Sequence, residues 1–542
     1  MISKNNEQSP MVATVGIMMM ITLAGKVMGI LRDRMQLVYY GTDTVESIAF
    51  MQATVLPRVF LDVMFASVFS ASFIPVFNKY LETKGKQAAF KLAARFIVAV
   101  LSVSAAVTVL AVIFANPIYA FFWGSETHAP EVSSLGIRLL RMMLPIMVIS
   151  SLAFSLTGVL QSLGQFKIPA AMSVASNGII LLYYFLFIGR FGIYGLAVAF
   201  LLGWGAQVLI QIPFLVKHQF FSIGMSDMIL TQPIADSNRL KKDWADLREI
   251  GGLTLPVMVA SWLGPVNLMV NGRAATDFGG EHGFVSLISA YNLYTVITGL
   301  FVLSLANVLF PALSKLAARK DFEGYATAVR SSLRALLFLL LPTTFGLMAI
   351  ATPLVRLVFQ GGLFQEASVE FTATALFFFS LGIIGFGMQV ILSRACFALN
   401  DGRGPLVTAV LAMAVNFVLS FTLAPAMGVA GPALASALAF NLAGVGLFLR
   451  ISGGMTLWNL NMASDIFKML ALSLAMFMIT ALCLLLMAGI FTEDTIISRV
   501  LMVGVPAGIG AAVYFAGALL LKIPEAKAGL KWVIDRMGRY SA

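Results

Sequence analysis

The sequence predicts an all-α polytopic membrane protein with about fourteen transmembrane helices. Two pseudo-symmetric six-helix lobes account for twelve, and two additional helices follow at the C-terminal end. Three observations carry this. The 542 residues are 59% hydrophobic and 11% charged, with a mean hydropathy of +0.92, whereas soluble domains carry about 25% charged residues. Apolar runs of spanning length, on the order of 20 residues each, recur along nearly the whole chain. Finally, the first half repeats in the second at a separation of 236 positions.

The spans fall near residues 11–38, 47–77, 93–120, 138–160, 168–189 and 194–216 in the first half. Their counterparts lie near 250–273, 284–313, 332–352, 368–396, 405–424 and 430–449, followed by 466–490 and 498–521. The connecting loops alternate in sign. Lys79, Lys84, Lys86, Lys91, Lys217, Arg239, Lys241, Lys242, Arg248, Lys315, Arg319 and Lys320 fall on one side. Asp43, Glu46, Glu126, Glu131, Asp277, Glu281, Glu366, Glu493 and Asp494 fall on the other. Roughly 26 of the 36 Lys and Arg lie on the first side, so that side is cytoplasmic. Both termini are then cytoplasmic, which requires an even number of spans.

The repeat keeps its register over several elements. Pro75 and Pro311, Lys79 and Lys315, Pro169 and Pro405, Gly192 and Gly428, and Gly195 and Gly431 all stand 236 positions apart. Each repeat holds six spans, so the halves run parallel, a plan in which substrate sites lie between the halves and transport rocks one against the other. Residues 1–235 form the first lobe, 236–455 the second, and 456–542 the two added helices and a tail.

Composition also excludes several classes. The net charge of +11 is scattered between apolar segments and makes no basic domain, so it reads as topology and not as nucleic-acid binding. Cys396 and Cys483 sit in apolar surroundings, and His128, His218 and His282 are far apart, so neither a disulfide framework nor a metal site is expected. No GxxxxGK[ST] phosphate loop occurs. With no nucleophile, base and orienter at a recognisable spacing, no catalytic residue, no cofactor and no enzyme activity is expected.

The chemistry concentrates between Gly25 and Asp62. Lys26, Arg32, Asp33, Arg34, Arg58 and Asp62 lie in or at the ends of two apolar segments, where a charge costs a few kcal/mol and usually faces a bundle interior or a watery cavity. Their positive excess suggests an anion site. Lys26 and Asp33, seven apart, share a helix face while Arg32 points about 120° away. A first helix starting near Met11 puts Arg32 about 30 Å along, at the outer boundary, so Arg32 and Arg34 have the alternative of snorkelling to headgroups. Arg58 and Asp62, four apart after Pro57, read equally as a neutralising pair or as cavity-lining residues. Arg273 stands in the second repeat roughly where Arg34 stands in the first. Lys167 and Arg403, each in a turn before a proline, read as topology.

These residues also carry a family resemblance. GKVMGILRDRMQLVYYG followed by LPRVFLDVMFASVFSASFIPVFNKY resembles the first two helices of the MurJ (MviN) lipid II flippases, in the MOP exporter superfamily. The likeness recurs at SLISAYNLYTVITGLFVLSLANVLFPALSKLAARKD and SRACFALNDGRGPLVTAVLAMAVNFVLS, and covers most of positions 10–450. It implies two six-helix lobes around a V-shaped cavity, with the two extra helices forming a groove for a lipid tail. It also implies that Arg32 and Asp33 match the family's Arg-acid pair and that Lys26 replaces a cavity arginine. The family's arginine at Leu61 and glutamate near Ala66 are absent, and its eighth-helix arginine appears as Asn292. Arg58 and Arg273 are the nearest substitutes.

The expected function is therefore the flipping of lipid II from the inner to the outer leaflet of a bacterial cytoplasmic membrane by alternating access. Lys26, Arg32, Asp33, Arg58 and Arg273 are the expected substrate-binding residues, with Arg34, Asp62 and Asn292 in a second rank. Lipid II or a similar polyprenyl-diphosphate saccharide, membrane lipids and a cell-wall synthesis complex are the expected partners. Membrane potential, an ion gradient or downstream consumption would drive the step. The alternative is a flippase for another lipid-linked oligosaccharide, such as an O-antigen or exopolysaccharide unit. A drug/cation antiporter of the same superfamily would show acidic cavity residues and twelve spans, and a membrane scaffold would tolerate loss of the cavity charges.

Overall fold

The computed structural model describes residues 5–61, 73–124, 129–224, 263–399, 401–455, 457, 460–491 and 495–531. The chain divides into two compact units, Met1–Met269 and Val270–Ala542. The boundary expected near residue 235 lies outside the described residues, as does Asp62.

The first unit runs α1 (Asn5–Tyr40), α2 (Val45–Leu61), α3 (Ile74–Thr83), α4 (Gly85–Ile113), α5 (Ala115–Trp123), α6 (Pro130–Met143), α7 (Ile146–Ser162), α8 (Lys167–Leu186), α9 (Ile188–Leu209), α10 (Ile212–Lys217) and α11 (Phe220–Gly224). α12 (Leu263–Phe278) crosses into the second unit. That unit continues with α13 (Gly280–Ala318), α14 (Phe322–Ala349), α15 (Ala351–Phe359), α16 (Glu366–Ser380), α17 (Ile383–Ala398), α18 (Arg403–Met427), α19 (Ala430–Ser452), α20 (Leu460–Ala488) and α21 (Ile496–Leu520). Among the described residues there is no strand, only an isolated bridge between Gly361 and Phe364. Nine helical segments there are long and apolar enough to cross a membrane, or ten if the pair α16 and α17, bent by 44°, counts as one.

The repeat is written into the backbone. α5 and α15 begin and end 236 positions apart, and so do the starts of α8 and α18. Each of α5 and α15 follows a single non-helical residue, Phe114 (φ −93°, ψ 21°) and Ile350 (φ −98°, ψ 12°). The cause lies three residues on, at Pro117 and Pro353. A proline has no N–H for the carbonyl four residues back and its ring collides with it, so the helix bends there. The single spans expected at 93–120 and 332–352 thus carry a bend or end at one. Gly192 (φ 53°, ψ −145°) and Gly428 (φ 57°, ψ −131°) form a second matched pair. Their backbone conformation is open essentially to glycine alone, which explains the glycine in both repeats. In the first helix pair of each unit the register becomes 239: Gly41 (φ 66°) corresponds to Gly280 (φ 69°).

In the first unit α1 packs on α8, α8 on α9, and α2 on α6. In the second, α19 packs between α17 and α18. There a Cβ on Gly385 would overlap the backbone of Asn441, so the α17–α19 approach depends on that glycine. The additional helices lie on α14, where Met469, Met476, Tyr514 and Ala518 pack against Leu337, Phe338 and Leu341. Charge pins one end of that contact. Arg334 donates to Asp465 (2.7 Å) and Glu525 (2.8 Å), with Lys468 on Asp465 (3.3 Å). Toward the opposite end, Arg499 donates to the Gln360 carbonyl at 2.9 Å. α20 and α21 expose Leu482, Leu485, Ile509 and Leu520, apolar groups that suit a hydrocarbon solvent. In the turn before α18, the Arg450 guanidinium holds the Asp401 carboxyl below its usual range through bonds of 2.6 and 3.2 Å.

Candidate functional site

α1 carries the cationic cluster, and its close approach to α8 shapes it. Gly25 is buried, and a Cβ there would overlap the Ser173 hydroxyl. This contact lets Asn177 of α8 reach two points on α1. Its Nδ2 donates to the Gly25 carbonyl at 3.1 Å, and its Oδ1 accepts from Arg32 Nη1 at 3.0 Å. Arg32 also turns round its own helix to meet Asp33, with Nε and Nη2 donating to Oδ1 at 3.0 and 2.7 Å. The Phe200 ring of α9 lies 5.6 Å from the guanidinium carbon, within reach of a cation–π attraction. Arg32 and Asp33 are 23% and 19% exposed, so this fork is partly desolvated and held from three helices.

Depth follows from the helix rise. α1 continues eight residues past Arg32 to Tyr40, which sets Arg32 about 12 Å inside the helix end. Lys26 lies about 21 Å inside it, and Arg58 about 20 Å along α2, so the two stand at similar distances from the α1–α2 turn. Lys26 is half-buried, with no acidic partner among the described residues. Arg58 occupies the last turn of α2 and is exposed, while Pro57 and Val59 beside it are buried. Arg34 is half-buried on α1.

In the second unit Arg273 donates from Nε to Asp277 Oδ2 at 2.8 Å, and the side chains are 28% and 19% exposed. Asp277 therefore belongs to the last turn of α12 and not to an outer connection, and it offsets the Arg273 charge. Its other oxygen, Oδ1, is buried without a partner. Asn292 is half-buried on α13.

Arg32 precedes Gly41 by nine residues, and Asn271 precedes Gly280 by the same count. Where the first unit has a guanidinium, the second therefore has a carboxamide. Asn271 Oδ1 accepts from Asn416 (2.9 Å) and Ser420 (2.8 Å), and its Nδ2 donates to Ser436 (2.6 Å). All four side chains are buried. Ser436 follows Gly428 by eight residues, as Phe200 follows Gly192. The same place in the fold is thus a partly exposed cation in one repeat and a closed, neutral polar knot in the other.

Asn177, Phe200 and Asp277 are not among the residues expected from the sequence to form the site. Asp277 had a local signal, its i,i+4 spacing from Arg273. Asn177 had a weaker one, as a carboxamide inside an apolar span. Phe200 had none. Among the described residues no group of three or more His, Cys, Asp or Glu could hold a metal.

A family model described as "Lipid II flippase MurJ" matches residues 38–505. The chain belongs to the MurJ lipid II flippase family. A "Probable lipid II flippase MurJ" of Rhizobium tropici is 24% identical over 511 residues, 92% of each chain. The "Lipid II flippase MurJ" of Burkholderia cenocepacia is 25% identical over 435 residues, covering 79% of this chain and 81% of its own. A solved structure described as "Lipid II flippase MurJ, inward closed conformation" superposes with a TM-score of 0.72 at 20% identity, over 93% of this chain and 99% of that one. An inward-facing multidrug resistance MATE transporter of the MOP superfamily gives a TM-score of 0.66 at 16% identity, over 81% of this chain and 98% of that one. These likenesses show the fold: an all-α, multi-pass membrane protein of the MurJ and MATE type. The family model's match begins after Lys26, Arg32 and Asp33.

Proposed function

We infer that this chain flips lipid II, the lipid-linked peptidoglycan precursor, from the inner to the outer leaflet of a bacterial cytoplasmic membrane by alternating access. The observation that carries the site is the Arg32 fork. Of five guanidinium N–H groups, three are committed to Asp33 and Asn177, which leaves one on each terminal nitrogen for an incoming oxygen. A diphosphate concentrates negative charge, and each contact with it strengthens away from bulk water. Its sugars and peptide would be kept out of the hydrocarbon while the polyprenyl tail stays in lipid along α20 and α21. Lys26, Arg58 and Arg273 supply further positive charge, and Asp33 and Asp277 keep Arg32 and Arg273 neutralised until substrate arrives. Arg34, Asp62 and Asn292 stand in the second rank.

Binding must differ between inward- and outward-open states, or the substrate shifts nothing. The reading assigns the chain no covalent step and no cofactor. Membrane potential offers about 2.3 kcal/mol per charge per 100 mV, and an ion gradient or downstream consumption are the other sources. Both termini are cytoplasmic in this reading, with fourteen spans arranged as lobes 1–235 and 236–455 and added helices in 456–542. Cell-wall synthesis proteins are the fitting partners.

Complementation tests the function. In cells depleted of their own lipid II flippase, the wild-type chain is expected to restore growth, while Arg32→Ala, Lys26→Ala and Arg58→Ala fail at equal membrane abundance. Rescue by all three variants would remove the charge assignment. Absence of rescue by well-expressed wild type would transfer the function to another lipid-linked oligosaccharide.

A further inference from the structure

An apolar cleft lies in the first unit, away from the α1 cluster. The bend at Phe114 opens a cleft of about 200 Å³ between α2, α4, α5, α6 and α7. Leu56, Leu140, Leu144 and Met147 form its buried floor, and Leu110 and Phe114 stand exposed at its mouth. Its lining is almost wholly apolar. At the rim, Arg141 Nη2 reaches the Asn116 side-chain oxygen at 3.3 Å. Arg138, Arg141 and Leu144 follow one another at three-residue steps along one helix face, and both arginines are exposed. Neither has an acidic partner among the described residues.

Depth and charge together select an occupant. α6 and α7 form one span of 33 residues, Pro130–Ser162, about 50 Å long, against a hydrocarbon core of about 30 Å. Arg138 and Arg141 lie about 12 and 16 Å from its start, within snorkelling distance of one headgroup layer. Leu144 and Met147 lie one and two turns deeper, at acyl-chain level. An exposed cation at headgroup depth attracts an anionic headgroup, and an apolar cleft open to lipid gains dispersion contacts when an acyl chain fills it. The other repeat shows what fills the equivalent surface. Leu110 corresponds to Gly346, and Met476 of α20 sits 2.7 Å from where a Gly346 Cβ would be. In the second unit the chain covers this surface with its own apolar helix.

We propose that the cleft at the α4–α5 bend binds an anionic phospholipid, with its phosphate on Arg138 and Arg141 and one acyl chain over Leu144 and Met147. The site is separate from the flipping reaction and does not depend on its assignment. The test is native mass spectrometry of the full-length, detergent-purified protein. It is titrated with palmitoyl-oleoyl phosphatidylglycerol and with phosphatidylcholine of the same chains. Wild type is expected to favour phosphatidylglycerol. Arg138→Ala and Arg141→Ala should each weaken that lipid about fivefold and weaken phosphatidylcholine less, because its choline cation offsets the same phosphate. Leu110→Trp, placed at the exposed mouth where it does not burden packing, should weaken both lipids. Equal uptake of the two lipids by wild type, or a preference that survives Arg138→Ala/Arg141→Ala, overturns the proposal. Full phosphatidylglycerol binding by Leu110→Trp also overturns it, because the acyl chain would then lie elsewhere.

Discussion

Arg32 owes its position to Asn177 as much as to its own helix. Asn177 satisfies one guanidinium nitrogen and the Gly25 carbonyl together, from a side chain that is 6% exposed. Asn177→Ala removes the acceptor and leaves a partly buried N–H without a partner, a cost of about 1–3 kcal/mol. It is expected to lower the thermal unfolding midpoint in detergent and to weaken rescue of flippase-depleted cells. Asn177→Asp keeps the acceptor toward Arg32 and should retain more rescue than the alanine variant. If Asn177→Ala and wild type rescue equally, Arg32 does not depend on this hydrogen bond for its role.

At the scale of elements, the additional helices depend on a shared arginine. Arg334 on α14 is held by Asp465 on α20 and by Glu525 just after α21, all less than 20% exposed. Removing it leaves two carboxylates without their shared arginine, Asp465 keeping Lys468 at 3.3 Å. Arg334→Ala should therefore destabilise the protein by about 1–3 kcal/mol, less than the loss of one partner from a fully buried pair. Asp465→Asn/Glu525→Gln in that background should recover part of the loss. The check is thermal unfolding of the three proteins, together with proteolysis in the α19–α20 connection. The proline bends act at this scale too: Pro117 and Pro353 stand in the sequence with a known effect on a helix, and the bends could have been read from them. The cleft that one bend opens depends on five helices, and no local rule gives it.

At the scale of the whole molecule, the two repeats have kept their backbone plan and diverged in charge. Arg32 and Asn271 hold the same place relative to Gly41 and Gly280, one 23% exposed and one 2% exposed inside a satisfied knot. Exchanging the residue types should separate function from folding. Arg32→Asn is expected to fold and accumulate like wild type yet fail to restore growth. Asn271→Arg buries a cation among Asn416, Ser420 and Ser436 without a counter-charge, a cost on the order of 3 kcal/mol or more, and should reduce membrane abundance. Normal abundance and rescue with Asn271→Arg would mean that the knot opens to water in the membrane.

The class, the repeat and the charged stretch are all legible in the amino-acid order alone. Composition is a property of the whole chain, the repeat survives as a constant offset, and a charge inside an apolar run stands out wherever the chain later goes. The pairing of Arg273 with Asp277 was within reach of sequence, since four residues on a helix always meet. That Arg32 is held by Asn177 and Phe200 follows from helix packing and from nothing local. Those residues are 145 and 168 positions away and meet it because Gly25 lets α8 close on α1. Only the tertiary structure showed one repeat neutral and sealed where the other is cationic. Helix periodicity says which residues share a face. Which face meets which is set by packing among distant helices, where a single glycine can fix the distance and no neighbouring residue records it.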